Sequence, residues 1–482
     1  MRELDRHMIE DIGIPSAVLM ENAAHAVSDA VLSCAASGRC VILIGPGNNG
    51  GDGLAVLRRL VQQKRSAVGI LLCDPEKLKD DARLNYDIAV KLALPLTQSL
   101  DAIETADIIV DALFGTGFDR ELSGSCLEAI ERANASNAYR IAVDIPSGIN
   151  GTSGKAFGTV FNADETVSFV AAKRGHLITN RLECVGRLKI VQIGMADEAH
   201  MRMLEREQLV DREFAGSLLP ERKRYSNKGD HGRALVIGGS PGMSGAPVMA
   251  AAACIRAGAG LTRAIVPEQT LPAFAALPEA MVLKDTEADL AAQLEWAGAV
   301  CIGCGMGADE RAASKLEALL ASGKRAVIDA DALNLMSNKA NRSLLSRLSA
   351  KHIITPHPGE MARLLGSSVA EVLAGPVRAA SGFAEEHGCI VLLKNAVSVI
   401  ASPDGRLRYN SSGNAGLAKG GSGDCLGGIV TALLAQGLEP FDAASVGAYL
   451  LGASADEALE LLKTRALAAG DVISALAQML AK

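Results

Sequence analysis

Short apolar strands that end in glycine turns, each followed by an amphipathic helix, recur along most of this 482-residue chain. The run CVILIG (residues 40–45) leads into the turn PGNNGGDG and then into LAVLRRLVQQ (residues 54–63), whose apolar residues repeat at helical spacing. SAVGILLCD (66–74) reads as the next strand and DDARLNYDIAVKLA (80–93) as the next helix. ADIIVDALFGTG (106–117) and YRIAVDIPSG (139–148) each read as a strand ending in a polar, glycine-containing turn, and ETVSFVAA and RLKIVQIGM as further strands. Strands joined by crossover helices fold as an open parallel sheet with helices on both faces, and ligands bind such sheets at the carboxyl ends of the strands.

The alternation degrades from about Asp197 to Lys228, a charged stretch that reads as a strandless connector. It resumes with RALVIGGSPGMSGAPVMAAAACIRAGAG (233–260), followed by strands at LTRAIV, AVCIG, RAVIDA, HIITP and CIVLLKN and a closing helical region that begins at GGSGDCLGGIV. The chain therefore reads as two α/β domains, residues 1–215 and 222–482, with the boundary near residues 210–225.

Composition limits the partners. Aromatics make up 3 % of residues and the formal net charge is −7, which supplies neither stacking rings nor a basic footprint for nucleic acid or an anionic membrane. No apolar run reaches the ~20 residues that span a bilayer. Ten cysteines lie scattered in apolar contexts, as expected for reduced thiols in a cytoplasmic protein. Cys301 and Cys304 have C-x-x-C spacing but no second pair, and read as small buried residues. A homo-oligomer is the expected state.

In the first half, Gly45 to Gly50 fits G-x-G-x-x-G between a strand and a helix, so a dinucleotide site with Asp74 as the ribose acid is one reading. The turn also continues through Gly51, Asp52 and Gly53. Glycines admit backbone N–H groups close to phosphate, and a helix N-terminus favours an anion. Two further strand ends are polar: Asp111 with Gly115-Thr116-Gly117, and Asp144 with Pro146-Ser147-Gly148. The oxygen set Asn49, Asp111 and Ser147 suits a hard cation.

On MRELDRHMIEDIGIPSAVLMENA, GPGNNGGDG, DALFGTG and AVDIPSGINGTSG, roughly residues 1–210 resemble the N-terminal domain of the bifunctional NAD(P)H-hydrate repair enzymes. The resemblance implies a Rossmann-like NAD(P)HX epimerase. Carried over by motif, Asn48, Asn49, Gly50, Gly51 and Asp52, together with Gly115, Thr116, Gly117, Phe118, Asp119, Arg120 and Glu121, would hold the hydrated cofactor. Asp144 would lie at the reacting ring, and Asn49, Asp111 and Ser147 would ligate K+.

In the second half the strongest local signal is Lys419 to Asp424, KGGSGD, before an apolar helix. Freed backbone and a helix N-terminus make an anion hole for a phosphoryl group in transfer, and Asp424 at its edge can take a proton from an attacking hydroxyl. No G-K-[ST] follows, so this is not a Walker A loop. Its companions are 237–240 with 244–246, Gly303 to Gly307, Asp329 to Asn334, TPHPGE (355–360) and Lys394. Asp329 could help place Mg2+ beside phosphate oxygens. His357 reads as a ligand contact, with Glu360 and Asp331 as neighbours.

Residues 222–482 resemble the ribokinase-like ADP/ATP-dependent NAD(P)H-hydrate dehydratases. By motif, Ala246, Gly305 or Gly307, His357 and Asp424 would contact the hydrated nucleotide. Lys394, Asn395, Ala396, Val397, Ser398 and Gly423 would contact the adenine nucleotide. The chain departs from the family pattern in three turns: the usual G-P-G-L-G is Gly303-Cys304-Gly305-Met306-Gly307, the usual K-G-A is Lys394-Asn395-Ala396, and the usual G-T-G-D is Gly421-Ser422-Gly423-Asp424. The resemblance implies epimerisation of R and S hydrates by the first domain and nucleotide-dependent dehydration of the S form by the second, with ADP favoured over ATP as donor. The rival is a small-molecule kinase fused to a non-catalytic nucleotide-binding module.

Overall fold

The strand β1 (Cys40–Ile44) is buried at every residue, and its side chains divide between two cores. Cys40, Ile42 and Ile44 enter one with the helices Ser16–Cys34 and Asn48–Gln62. Val41 and Leu43 enter the other, with the helix Gly124–Ala135. A strand whose two faces are both apolar must be covered on both sides, and this gives three layers. The computed structural model describes residues 2–34, 38–194, 206–286, 288–463 and 466–480. It divides into two units, Met1–Met203 and Leu204–Lys482.

In the first unit β1 is followed by β2 (Ala67–Leu71), β3 (Leu96–Thr97), β4 (Ile108–Ala112), β5 (Tyr139–Val143), β6 (Glu165–Phe169) and β7 (Arg187–Val191). All pair in parallel, in the order β3-β2-β1-β4-β5-β6-β7. Chain order reverses at β1, between β2 and β4, so the crevice of a Rossmann-like sheet opens beyond the carboxyl ends of β1 and β4. The turn after β1 presses against the end of β4. A Cβ on Gly45 would stand 1.9 Å from the Leu113 carbonyl oxygen, and one on Gly50 would stand 1.9 Å from that of Gly45. Only glycine fits at these two positions.

The second unit holds β8 (Glu207–Leu209), β9 (Arg233–Ile237), β10 (Leu261–Val266), β11 (Met281–Lys284), β12 (Ala299–Ile302), β13 (Arg325–Ile328), β14 (His352–Ile354), β15 (Ile390–Leu393), β16 (Ser398–Ala401) and β17 (Leu407–Asn410). They form one sheet ordered β11-β10-β9-β12-β13-β14-β15-β16-β17-β8. Its first seven strands are parallel, and β15, β16 and β17 form an antiparallel meander. The helices Gly245–Arg256, Ser422–Ala435 and Pro440–Leu462 fill the principal core.

The connector differs from its sequence reading. Residues 197–205 lie outside the described residues, but 207–209 form β8, which pairs in parallel with β17. The helix Arg212–Leu218 follows, capped by Asp211. The Arg408 guanidinium lies between the rings of Phe214 (4.7 Å) and Phe441 (4.3 Å) and donates to Asp442 at 2.6 Å. Residues 204–215, read with the first domain, thus belong to the second unit, and the division falls at 203/204. A three-residue edge strand has no periodicity to read, and only its partner β17 defines it. Among the described residues no helix is long and apolar enough to cross a membrane.

Candidate active sites

In the first unit the crevice at β1 and β4 holds a cavity of about 480 Å³ lined by residues 46–49 and 113–120. Asn48 and Asn49 reach it from the first turn of their helix, and Gly115 to Arg120 from the loop after β4. Phe118 is buried and stacks on Phe114 at 4.8 Å, forming wall rather than a free contact. Gly51 faces away, since a Cβ there would meet Met20 at 2.8 Å. Glu121 is exposed and lies beyond the lining, near Gly158. Asp74 caps a short 3-10 turn by accepting from the Glu76 N–H, which answers the ribose-acid reading with a local structural role.

Behind the cavity wall, the fully buried Asp111 accepts from the Ser147 N–H at 2.7 Å, the Ser147 hydroxyl at 2.8 Å and the Leu113 N–H at 3.1 Å. Burial raises its carboxyl to about 6, even though these bonds pull the other way. Asn49 is buried with its side-chain N–H2 unpartnered.

At the end of β5, Asp144 takes a left-handed backbone conformation (φ +64°), uncommon for a residue with a Cβ. Its Oδ1 accepts from Lys173 Nζ at 2.5 Å and from the Ser168 hydroxyl at 3.2 Å. His176 Nδ1 accepts from the Lys173 N–H at 3.1 Å, which leaves Nε2–H to donate to the Asp144 carbonyl at 2.8 Å. Burial, aided by the Lys173 charge, lowers His176 to about 4, so the ring is neutral. Burial and the charges of Asp144 and Asp81 push the Asp52 carboxyl well above its usual range. Lys173, Ser168 and His176 did not emerge from the sequence reading. The available signal was KRGH (173–176), a cation and a histidine in the turn after a strand of a sheet whose other strand ends are polar.

In the second unit the polar groups also gather at strand ends. Lys394, after β15, donates to Asp329 Oδ1, after β13, at 2.8 Å, and lies 4.0 Å from Glu360 Oε2. Burial opposes the Lys394 charge, but the Asp329 and Glu360 carboxylates more than offset this and hold the ammonium above its usual range. Gly423 meets this group: a Cβ there would stand 3.4 Å from Lys394 Nζ and 3.5 Å from Asp329 Oδ2. Asp424 lies in the first turn of Ser422–Ala435, after Gly421 at φ +96°. Burial, then the Asp329 charge, raises its carboxyl to about 6 against a hydrogen bond from the Cys304 thiol and the charge of Lys394. First-turn N–H groups of a helix have no intrahelical partners and are available to an anion.

Gly303 (φ +115°) brings its turn against β13, where a Cβ would stand 1.9 Å from the Asp329 carbonyl oxygen. Gly305 packs on Ala246 and Gly307 on Ser240. Asp331 accepts from the Gly307 N–H at 2.9 Å. His357 is half-exposed and caps the helix Pro358–Leu365, accepting from the Gly359 N–H, while Glu360 accepts from the His357 N–H at 2.8 Å. Asn395 and Ala396 are exposed on the β15–β16 turn, Val397 is buried and Ser398 opens β16. Cys301 and Cys304 are buried with sulfurs 3.6 Å apart, as free thiols.

The chain is therefore a two-unit α/β enzyme, a Rossmann-like fold followed by a ribokinase-like one, each with its polar groups beyond the carboxyl ends of parallel strands. A family model described as NAD(P)H-hydrate dehydratase matches residues 234–478, and one described as YjeF-related protein N-terminus matches residues 16–175. The chain is 37 % identical to the bifunctional NAD(P)H-hydrate repair enzyme Nnr of Moorella thermoacetica, covering 100 % of this chain and 95 % of that one. It is 36 % identical to the enzyme of the same description from Escherichia coli, covering 99 % and 92 %. Among solved structures, the second unit resembles the ADP/ATP-dependent NAD(P)H-hydrate dehydratase from Bacillus subtilis co-crystallised with ATP/Mg2+. That match has a TM-score of 0.51 and 31 % identity, and covers 57 % of this chain and 98 % of that one. The chain belongs to the bifunctional NAD(P)H-hydrate repair enzymes, with an epimerase in its N-terminal domain and an ADP/ATP-dependent dehydratase in its C-terminal domain. The rival, a kinase fused to a non-catalytic module, is not favoured.

Proposed function

We propose that Asp424 is the general base of the dehydratase and Asp144 the acid–base group of the epimerase. The observation that carries the first assignment is the meeting of Asp424, Asp329, Lys394 and the first turn of Ser422–Ala435 at Gly423. Hydroxide leaves C6 of the hydrate poorly. Transfer of the terminal phosphoryl group of ADP to the C6 hydroxyl, whose proton passes to Asp424, releases AMP and turns that hydroxyl into a good leaving group. The ring nitrogen then expels phosphate, and loss of the C5 proton restores the dihydropyridine. The first-turn amides stabilise the charge in transfer. Asp329 and Glu360 are the carboxylates that would hold Mg2+ beside the phosphates, with Lys394 between them. The segment 394–398 and Gly423 would face the adenine nucleotide, and Ala246, Gly305 or Gly307 and His357 the hydrate.

In the first unit, Asn48, Asn49, Gly50 and Asp52 with residues 115–120 would hold the hydrate, and Asn49, Asp111 and Ser147 would hold K+. One feature supports that donor set: an Asp111 carboxyl whose burial a cation would offset. Ten free cysteines support a reducing, cytoplasmic setting.

The test is to incubate each purified hydrate epimer with and without ADP and ATP, following dihydronicotinamide absorbance and epimer-resolved chromatography. Interconversion without nucleotide, and recovery of absorbance from the S form with ADP and Mg2+, are expected. A stable phosphorylated product would overturn the dehydratase assignment.

A further inference from the structure

The Lys173 ammonium is buried and has three N–H donors and three acceptors: Asp144 Oδ1 at 2.5 Å, the Ser168 hydroxyl at 2.8 Å and the Phe169 carbonyl at 2.9 Å. The backbone beside this contact is strained at two positions. Asp144, at the end of β5, and Val170, at the end of β6, both lie at positive φ (+64° and +67°). A β-branched residue there is an outlier. His176 ties the two strand ends together, accepting from the Lys173 N–H and donating to the Asp144 carbonyl. A buried ion pair is weak evidence for stability, because desolvating both charges offsets their attraction. Strain at two neighbouring strand ends for such a pair points to a functional constraint. Among the described residues Asp144 Oδ2 accepts no hydrogen bond, whereas Oδ1 accepts two.

We propose that Lys173 is a positioning residue for epimerisation, which with Ser168 fixes Oδ1 of Asp144 and presents Oδ2 as the proton-exchanging atom. The proposal rests on Asp144 being the acid–base group. The charged groups that bear on Asp144 are Lys173 from beyond β6, Asp5 from the N-terminal helix and Asp52 from the helix after β1.

The experiment compares the full-length chain with Lys173→Met, Lys173→Arg, Ser168→Ala and Asp144→Asn. It measures R/S interconversion against pH, with dehydration of the S hydrate in the same chain as the standard of active concentration. Lys173→Met is expected to lower the epimerisation kcat about 10–100-fold at neutral pH and move the acidic limb of the profile upward by about one pH unit or more. Lys173→Arg, which keeps the charge, should return the limb toward the parent. A purely structural role would scale the rate at every pH and leave the limb in place, and that result would overturn the proposal. If Lys173→Met fails to fold, Ser168→Ala removes one bond from the same cluster and is read the same way, with a smaller shift in the same direction supporting the proposal and an unmoved limb refuting it. Full epimerase activity in Asp144→Asn would instead sink the assignment of Asp144, and the proposal with it. An inactive Asp144→Asn beside parent-like Lys173 and Ser168 variants would sink only the role of Lys173.

Discussion

Replacing Asp424 by Asn tests the base assignment and predicts opposite effects on activity and stability. Burial and the Asp329 charge raise the Asp424 carboxyl from the usual 3.8 to about 6. The folded unit therefore holds this proton more tightly than the unfolded chain does. The resulting stabilisation is fully present below about pH 4 and is lost as pH rises to about 6. At neutral pH the ionised carboxylate leaves the second unit less stable by up to about 3 kcal/mol than a proton-bearing group there would. Asn has nearly the same shape and no charge, so Asp424→Asn should raise the unfolding midpoint of the second unit at pH 7. It should also cut dehydratase turnover by about 10²–10⁴, the range for loss of a general base, while nucleotide binding changes little because the backbone donors remain. In the parent, turnover should fall as pH falls through about 6, where the base becomes protonated, and the residual activity of the variant should lack that limb. Absorbance recovery from the S hydrate with ADP, urea unfolding and nucleotide titration read the three quantities. Near-normal turnover, or a variant less stable than the parent at pH 7, would refute the reasoning.

Asp111→Ala should abolish the K+ dependence of epimerisation and slow it, with S-hydrate dehydration unchanged; rates titrated with KCl decide, and an unaltered K+ response counts against the ligand set. Lys394→Met strands the Asp329 and Glu360 carboxylates, so the second unit should lose about 3–5 kcal/mol together with its dehydratase activity. Urea unfolding as cooperative and as late as the parent's would show that the pair contributes nothing. Cutting the chain at 203/204 should yield two soluble proteins, the first an epimerase needing no nucleotide and the second a dehydratase. Cutting at residue 218 should destabilise the second piece by roughly 3 kcal/mol or more, because β8 and Phe214 are removed from β17 and Arg408. Equal melting of the two second-domain pieces would contradict that packing.

The sequence by itself determined where strands end and glycine turns begin. In β1 alternate residues face two cores, so the whole run must be apolar, and the turn after it approaches β4 so closely that Gly45 and Gly50 admit no side chain. These are local demands, written into consecutive residues. The polar strand ends Asp111, Asp144 and Asp329, and Asp424 at a helix start, were legible for the same reason. What only the tertiary structure decided is which of them meet. Asp144 and Lys173 pair because β5 and β6 are neighbours, and Asp329 reaches Lys394 across β14, a distance of 65 residues in the chain. Gly51 looked like part of the phosphate turn but packs against Met20, because the first turn of a helix presents successive residues to different sides. β8 had no signal of its own, since Glu207, Gln208 and Leu209 become a strand only when β17 supplies their hydrogen-bond partners. Periodicity and turn chemistry act between residues close in sequence. Ion pairs and edge strands depend on strand order, which is set by how both faces of the sheet are buried.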